Sequence, residues 1–208
     1  MMRLWRAIRA GYLQLTEPII AWCVAHRVSP NALTAVGTLC CVVTGVLFGA
    51  GWIRTAGWTL GLTAFFDVID GEVARRSGRS STFGAFFDST LDRVADGAMY
   101  GGLVYFFAAA GPHRSAPMVV VALIALVATQ VTSYTRAKAD VLGVDLKGVG
   151  ALERPERFVL LAAPQAFFGL ALGGWVLKGV VILLAASGSW TVIQRIRHLA
   201  RTATRTAN

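Results

Sequence analysis

Long apolar segments follow one another along almost the whole chain, and they restrict the fold more than any other feature of the sequence. The hydrocarbon core of a bilayer is roughly 30 Å thick, and a helix needs about 20 apolar residues to cross it. Inside that core the backbone must satisfy its own hydrogen bonds, so each segment is predicted to be a helix. The predicted spans lie at residues 32–52, 56–74, 83–110, 117–138, 155–173 and 175–195. The sequence therefore predicts an all-α integral membrane protein with six transmembrane helices.

The residues before the first span predict a helix of another kind. Between residues 3 and 17, apolar side chains recur at helical spacing on one side, and arginines lie toward the other. The apolar side carries Trp5, Ile8, Tyr12 and Leu15, and the basic side carries Arg3, Arg6 and Arg9. Such an amphipathic helix lies in the headgroup plane of a membrane. We therefore predict a single domain over 1–208, with an interfacial helix and lead-in at 1–28, a six-helix bundle at 29–198 and a basic tail at 199–208.

The distribution of Lys and Arg predicts the orientation of the bundle. The formal net charge is +9, and all of the 20 Lys and Arg except Arg54, Arg114 and Lys178 lie on one side of the predicted bundle or at the adjoining helix ends. By the positive-inside rule that side is cytoplasmic, so both termini are predicted to lie on the cytoplasmic face of the cell membrane. The basic residues flank apolar spans and form no separate domain, which argues against a nucleic acid partner. Anionic membrane lipids and phosphorylated substrates are the predicted partners.

Five aspartates fall within or beside the second and third spans, where an ionised group is costly and usually marks function. Asp67 and Asp70 are three residues apart, and Asp88, Asp92 and Asp96 recur every four residues, so each set shares one helix face. A divalent cation between the two faces would remove their repulsion, and carboxylate oxygens favour Mg²⁺, Mn²⁺ or Ca²⁺ over Zn²⁺. Cations with arginine nearby suit chemistry on a diphosphate. The spacing alone leaves a structural ion site or a divalent-cation transporter open beside an enzyme.

The same segment carries a long motif of eight specified residues. It reads Asp67-x-x-Asp70-Gly71-x-x-Ala74-Arg75, then eight residues, then Gly84-x-x-x-Asp88-x-x-x-Asp92. This pattern resembles the signature of the CDP-alcohol phosphotransferase family at every specified position. The resemblance implies transfer of a substituted phosphoryl group from a CDP-linked donor to an alcohol, with release of CMP. It also implies six transmembrane helices, a homodimer, and a site open to the cytoplasm and the bilayer.

Carried over by position, the resemblance assigns a role to each motif residue. It implies that Asp67, Asp70, Asp88 and Asp92 hold two Mg²⁺ ions, with Mn²⁺ as the alternative metal, and that Asp92 is also the general base. The CDP donor would bind at Pro30, Asn31, Thr34, Asp67, Gly71, Ala74, Arg75 and Gly84. Asp96 lies outside the minimal motif. Either it is a hydrogen-bonded partner of Arg93 or of the metal ligands, or it has a direct role.

A further set of basic residues lies on the same predicted side and bears on the acceptor. Span four ends near Ser133, Arg136 and Lys138, span five opens at Arg154, and span six closes at Arg195. These are more cations than the CDP group needs, so they predict a phosphorylated polyol as the acceptor. We predict that these residues bind its phosphate, and the sequence leaves open which of Arg136 and Lys138 contacts it. The alternative is that they bind lipid headgroups or reflect the orientation bias.

Three segments also resemble the bacterial phosphatidylinositol phosphate synthases within this family. They are Asp88-Ser89-Thr90-Leu91-Asp92-Arg93, Glu153-Arg154-x-Glu156-Arg157 and the ending Gln194-Arg195. The resemblance implies CDP-diacylglycerol as donor and inositol 1-phosphate as acceptor. The nearest competing acceptor is glycerol 3-phosphate, which would give phosphatidylglycerophosphate.

Overall fold

The computed structural model describes residues 16–79, 81–146 and 148–206, without the side chains of 64, 65, 67, 68 and 203–206, and this part of the chain is helical with no strand. The predicted interfacial helix at 3–17 lies almost wholly outside the described residues. The α-helices are α1 (Thr16–Ala25), α2 (Pro30–Gly49), α3 (Ile53–Arg76), α4 (Thr82–Ala109), α5 (Ala116–Val141), α6 (Arg154–Phe168) and α7 (Trp175–Thr206). Two 3₁₀ turns, Gly111–His113 and Ala171–Gly174, precede α5 and α7.

Each of the six predicted spans coincides with one of the helices α2 to α7, but only three segments of the described chain are both long and apolar enough to cross a membrane. They are Pro30–Gly49, Ala116–Val141 and Ala171–Thr202. Helices α3 and α4 are long but carry the charged motif, whereas α6 has 15 residues and is about 22 Å long. The prediction of an all-α membrane protein is confirmed at this level.

Two of the predicted boundaries are wrong. The fifth span was expected to end at 173, yet α6 ends at Phe168, because Gly169 turns the chain with a φ of +54° and a short 3₁₀ turn follows. The sixth span was expected to end at 195, yet α7 continues to Thr206. The predicted basic tail is therefore largely an extension of the last helix.

Small residues set the distance between α2 and α4. A Cβ atom built on Gly102 would lie 1.9 Å from the carbonyl oxygen of Gly45, and one on Gly45 would lie 2.2 Å from the carbonyl oxygen of Ala98. The two backbones are therefore in direct contact, as small residues allow between helices in membranes. Gly57 of α3 packs in the same way against Ala166 of α6. These contacts fix how the motif-bearing helices α3 and α4 stand relative to α2 and α6.

The short helix α1 is fastened to the end of α3 that carries the motif. Ile20 and Cys23 pack on Ile69 and Val73 in a small buried cluster. Both carboxylate oxygens of Glu17 accept hydrogen bonds from the Arg76 guanidinium, at 2.6 and 2.8 Å. These hydrogen bonds hold the pKa of Glu17 below its usual value. Helix α1 thus covers one side of the helix end from which the site is built.

Candidate active site

A cleft of about 230 Å³, open to solvent, lies between the start of α2, the end of α3 and the start of α4. Its walls bring together residues that are far apart in the sequence. They are Pro30, Asn31, Thr34, Asp70, Gly71, Ala74, Arg75, Arg79, Ser81, Gly84, Ala85 and Asp88. The cleft follows from the fold, because α3 and α4 are joined by a short loop and α2 packs against both of them.

Seven of the eight residues predicted for the CDP donor line this cleft: Pro30, Asn31, Thr34, Gly71, Ala74, Arg75 and Gly84. The eighth is Asp67, whose side chain lies outside the described residues. The structure adds Arg79, Ser81 and Ala85, which the sequence reasoning did not single out. Their position in the sequence could have identified them. They lie in or next to the short loop between the α3 and α4 parts of the motif, and such residues must lie near both parts.

The small motif residues make room for polar groups at the floor of the cleft. A Cβ atom on Gly84 would lie 3.1 Å from the hydroxyl oxygen of Ser81 and 3.3 Å from the amide oxygen of Asn31. Ser81 also caps α4, since its hydroxyl oxygen accepts a hydrogen bond from the Gly84 N–H at 2.9 Å. A Cβ atom on Gly71 would lie 3.5 Å from the Arg75 guanidinium. A larger residue at either glycine would therefore crowd the polar lining.

Two carboxylates of the motif line the same cleft from different helices. Asp70 of α3 is nearly buried and accepts a 2.7 Å hydrogen bond from the hydroxyl of Thr34 on α2, whereas Asp88 of α4 is exposed. Asp67 and Asp92 occupy positions one helical turn from these two residues. The donor atoms are carboxylate oxygens, which suit a hard divalent cation. Among the described side chains no three acidic, His or Cys groups are close enough to form a metal site, and Asp67 is not among them.

Asp92 contacts two arginines, Arg154 of α6 and its own neighbour Arg93 on α4. Its Oδ1 atom lies 2.6 Å from Nη2 of Arg154, and its Oδ2 atom lies 3.8 Å from Nη2 of Arg93. The predicted base is therefore ion-paired with a residue predicted to bind the acceptor. The Arg154 guanidinium also lies over the ring of Phe158, with its Cζ atom 4.6 Å from the ring centroid. The pairing of residues 92 and 154 is a tertiary contact that the sequence could not indicate.

Asp96 lies one turn beyond Asp92 on α4 and is almost completely buried. Its Oδ2 atom accepts a 3.2 Å hydrogen bond from Nη2 of Arg93, and its Oδ1 atom lies 4.0 Å from Nε of Arg154. The sequence left open whether Asp96 is a hydrogen-bonded partner or has a direct role, and the structure shows the hydrogen bond with Arg93. Close by, the buried Arg157 donates a hydrogen bond of 3.1 Å to the hydroxyl of Thr129 on α5.

The remaining residues predicted for the acceptor lie toward α5 and α7. Arg195 of α7 donates from Nε to the carbonyl of Val149 at 3.0 Å and from Nη1 to the carbonyl of Thr132. It thereby ties α7 to α5 and to the loop before α6. Arg136 and Arg157 are near enough to repel the charge of Arg195. Ser133 donates to the carbonyl of Thr129 at 3.3 Å, whereas Arg136 and Lys138 are exposed.

The sequence profile of the CDP-alcohol phosphatidyltransferases matches residues 27–193, which include every residue of the cleft together with Arg93, Arg154 and Arg157, whereas Arg195 lies two residues beyond the match. The chain belongs to the CDP-alcohol phosphatidyltransferase family. The family prediction from the motif is thus confirmed, and the chain is a CDP-alcohol phosphatidyltransferase enzyme. Membership also decides between the alternatives that the aspartate spacing left open, since it favours a transferase over a cation transporter.

Curated relatives in this family match over nearly the whole chain. The phosphatidylinositol phosphate synthase of Mycobacteroides abscessus is 37% identical over 195 residues, which cover 93% of this chain and 87% of the relative. The phosphatidylinositol phosphate synthase of Cutibacterium acnes is 36% identical over 196 residues, which cover 90% of this chain and 93% of the relative. Both alignments therefore span the helices that form the cleft and those that carry Arg93, Arg154 and Arg157.

Crystal structures of the Mycobacterium tuberculosis phosphatidylinositol phosphate synthase share the fold. The structure with CDP-DAG bound superimposes with a TM-score of 0.79 at 32% identity, covering 88% of this chain and 92% of that one. The structure in complex with manganese and citrate gives a TM-score of 0.77 at 33% identity, covering 88% and 87%. In that protein, then, this phosphatidyltransferase fold holds a CDP-linked lipid and a divalent metal.

Proposed function

We propose that this phosphatidyltransferase transfers the phosphatidyl group of CDP-diacylglycerol to inositol 1-phosphate, giving phosphatidylinositol phosphate and CMP. The observation that carries the proposal is the place of Asp92 between two differently built regions. One turn before it on α4, Asp88 lines the cleft predicted for the nucleotide. On its other side Arg154 begins a cluster of arginines suited to an anionic acceptor. The similarity to named phosphatidylinositol phosphate synthases supports the same acceptor.

For the donor, we propose that the cytidine and diphosphate occupy the cleft and that the acyl chains remain in the bilayer. Arg75 and Arg79 are the cations of the cleft wall, and guanidinium groups pair well with phosphate oxygens. The carboxylates of Asp67, Asp70, Asp88 and Asp92 are the proposed ligands of two divalent ions, Mg²⁺ or Mn²⁺. When bound, such ions neutralise charge on the phosphoryl oxygens and on the leaving group.

For the acceptor, the charge balance around Asp92 favours an anion. Three guanidinium groups, Arg93, Arg154 and Arg157, face two carboxylates, Asp92 and Asp96. Arg195 adds a further positive charge beside Arg157, which Glu153 offsets in part. A phosphate monoester compensates that surplus, whereas free inositol or serine would not. We propose that Arg154 and Arg195, with Ser133 and with Arg136 or Lys138 at the rim, bind the phosphate of the acceptor.

The proposed reaction has one proton transfer and one displacement. A hydroxyl of the acceptor attacks the phosphorus on the lipid side of the diphosphate, and its proton passes to the Asp92 carboxylate. The bond between that phosphorus and the bridging oxygen breaks, and CMP leaves with the oxygen and the electron pair. Because Arg154 contacts Asp92 at 2.6 Å, it can place the acceptor phosphate next to the base.

We also propose that all six helices α2 to α7 cross the plasma membrane, as a homodimer with both termini and the cleft on the cytoplasmic side. Large apolar side chains that point away from the bundle support a lipid-facing surface; among them are Val46, Trp58, Tyr105, Val127 and Ile182. The basic ends of α3 and α7 support the orientation.

The function is tested by measuring CMP release from CDP-diacylglycerol by the purified protein in lipid nanodiscs, in a buffer that contains Mg²⁺ or Mn²⁺. The acceptors are inositol 1-phosphate, glycerol 3-phosphate, inositol and serine, and mass spectrometry identifies the lipid product. We expect inositol 1-phosphate to give the highest kcat/KM. A higher value with glycerol 3-phosphate would replace the proposal by phosphatidylglycerophosphate synthesis, the competing acceptor.

The hydrogen bond from Thr34 to Asp70 leads to a prediction about the metal. Thr34→Val removes the hydroxyl that orients this carboxylate, and partners of this kind typically change metal affinity by about 10–100-fold. We therefore expect a rise of that size in the Mn²⁺ concentration that gives half-maximal CMP release. Thr38→Val is the matched control, because the Thr38 hydroxyl donates to the carbonyl of Thr34 on the same helix. Equal metal dependence in both variants would contradict the assignment of Asp70.

A further inference from the structure

Asp96 is a buried carboxylate that the proposed reaction does not use. It is 1% exposed, lies one turn beyond Asp92 on α4, and lines a small cavity with Arg154, Arg157 and Tyr100. An ionised group in so enclosed a position is retained only where it is paired with other charges. Its partners are Arg93, which donates a 3.2 Å hydrogen bond, and Arg154, whose Nε atom is 4.0 Å away.

Arg154 is held on three sides by this arrangement. Its Nη2 atom contacts Asp92 at 2.6 Å, its Nε edge faces Asp96, and the Phe158 ring supports the face of its guanidinium plane. Arg93 connects the two carboxylates, since its Nη2 atom lies 3.2 Å from Asp96 and 3.8 Å from Asp92. Asp96 thus shares both of these arginines with Asp92.

We infer that Asp96 is a positioning residue for the acceptor half of the reaction, which it serves by holding Arg93 and Arg154. This inference rests on the proposed function. Without the Asp96 charge, Arg93 and Arg154 would have Asp92 as their shared carboxylate. Arg93 would turn toward Asp92, which Arg154 already contacts at 2.6 Å, and would occupy the carboxylate oxygen that must take the proton from the attacking hydroxyl. Arg154 would also leave the place from which it binds the acceptor phosphate.

Other charges around Asp96 act in the same direction. Arg157 of α6 is buried on the same cavity and adds a third positive charge near Asp96. Removing the carboxylate would leave the guanidinium groups of Arg93, Arg154 and Arg157 near one another without the negative charge of Asp96. Repulsion between them would displace Arg93 and Arg154, whose side chains are 31% and 24% exposed, before the buried Arg157. The nucleotide cleft contains none of these residues, so donor binding should be spared.

The test is Asp96→Asn, which keeps the shape of the side chain and removes its charge. We expect the KM for inositol 1-phosphate to rise by about tenfold or more and kcat to fall, while the KM for CDP-diacylglycerol stays within twofold of the unmodified protein. The matched control is Gln130→Met, because Gln130 donates a 3.1 Å hydrogen bond to the Arg93 carbonyl without carrying charge. The control should leave both KM values unchanged. Equal changes in the two KM values of the Asn variant would overturn the inference.

A second variant separates charge balance from a purely structural role. Asp96→Asn combined with Arg93→Gln removes one positive charge together with the negative one, so Asp92 again balances Arg154. We expect this double variant to recover part of the acceptor kcat/KM that the single variant loses. Loss that equals or exceeds the product of the two single effects would overturn the inference, since independent structural defects add in free energy.

If the Asn variant does not fold, Asp96→Glu carries the test, because it keeps the charge and displaces the carboxylate by one methylene group. A raised acceptor KM at an unchanged melting temperature supports the inference, and an unchanged acceptor KM overturns it. All variants are assayed with the phosphorylated acceptor that the unmodified protein prefers. If the unmodified protein does not use inositol 1-phosphate, the proposed function alone is contradicted. If the variants have the same acceptor KM as the unmodified protein, the role of Asp96 alone is contradicted.

Discussion

Asp92→Asn is expected to reduce CMP release by roughly 10²–10⁴-fold, the usual contribution of a positioned general base, while CMP binding stays measurable. The amide has the same shape but cannot take the proton of the attacking hydroxyl. The nucleotide should still bind, because Asp92 is not among the residues that line the cleft. Single-turnover CMP release and calorimetric titration with CMP measure the two properties separately.

The control for this variant is Asp140→Asn, which makes the same chemical change at an exposed aspartate near the end of α5. It should leave CMP release unchanged. A titration with Mn²⁺ shows whether Asp92→Asn also weakens metal binding, as the proposed metal role of Asp92 implies. Full turnover in the Asp92 variant would remove the general base from the mechanism.

Gly102→Ala is expected to lower the free energy of unfolding by about 1–3 kcal/mol, the usual effect of adding a group to a closely packed contact. The added Cβ atom would lie 1.9 Å from the Gly45 carbonyl oxygen, and a backbone atom cannot rotate away as a side chain can. The two helices would have to separate. Because α2 carries Thr34 and α4 carries Asp88, separation should also lower activity. Thermal unfolding in detergent, followed by circular dichroism, measures the stability.

The neighbouring glycine supplies a matched control. Gly101 lies in the same helix, and a Cβ atom there would have no atom within 4 Å. Gly101→Ala should therefore change the free energy of unfolding by less than about 0.5 kcal/mol, as is usual at surface positions, or raise it slightly through better helix propensity. Equal destabilisation by the two substitutions would show that helix propensity, and not the contact with Gly45, governs the effect.

The residues that line the cleft were largely predictable from the sequence because most of their arrangement depends on local geometry. The motif from Asp67 to Asp92 spans two helices and one short connection, so helical spacing alone puts its residues near one another. Pro30, Asn31 and Thr34 had to come from the resemblance, since α2 is separated from the motif in the chain. The structure places these three residues on the wall of the cleft, with Thr34 bonded to Asp70.

For the residues predicted to bind the acceptor, the sequence indicated which side chains are present but not how they are arranged. The sequence indicated Arg154 and Arg195 as nearby cations, but their contacts depend on how α6 and α7 pack. Arg154 is paired with Asp92, and Arg195 donates to two backbone carbonyl groups. Neither partner has a fixed sequence distance from its arginine. The homodimer, the orientation, the number of bound ions and the donor and acceptor roles of these residues stay predictions.

Hydrophobic length and charge in the sequence determined by themselves that this chain is a helical membrane protein with an acidic motif on two neighbouring helices, and the resemblance of that motif to the family signature added phosphatidyl transfer. These are local properties, fixed by the residues within each segment and by helical periodicity. Tertiary packing decided where α6 ends, how closely α2 and α4 approach, and that Asp96 shares Arg93 and Arg154 with Asp92. Contacts between distant segments depend on the shapes of both surfaces at once, and no spacing along one chain segment contains that information.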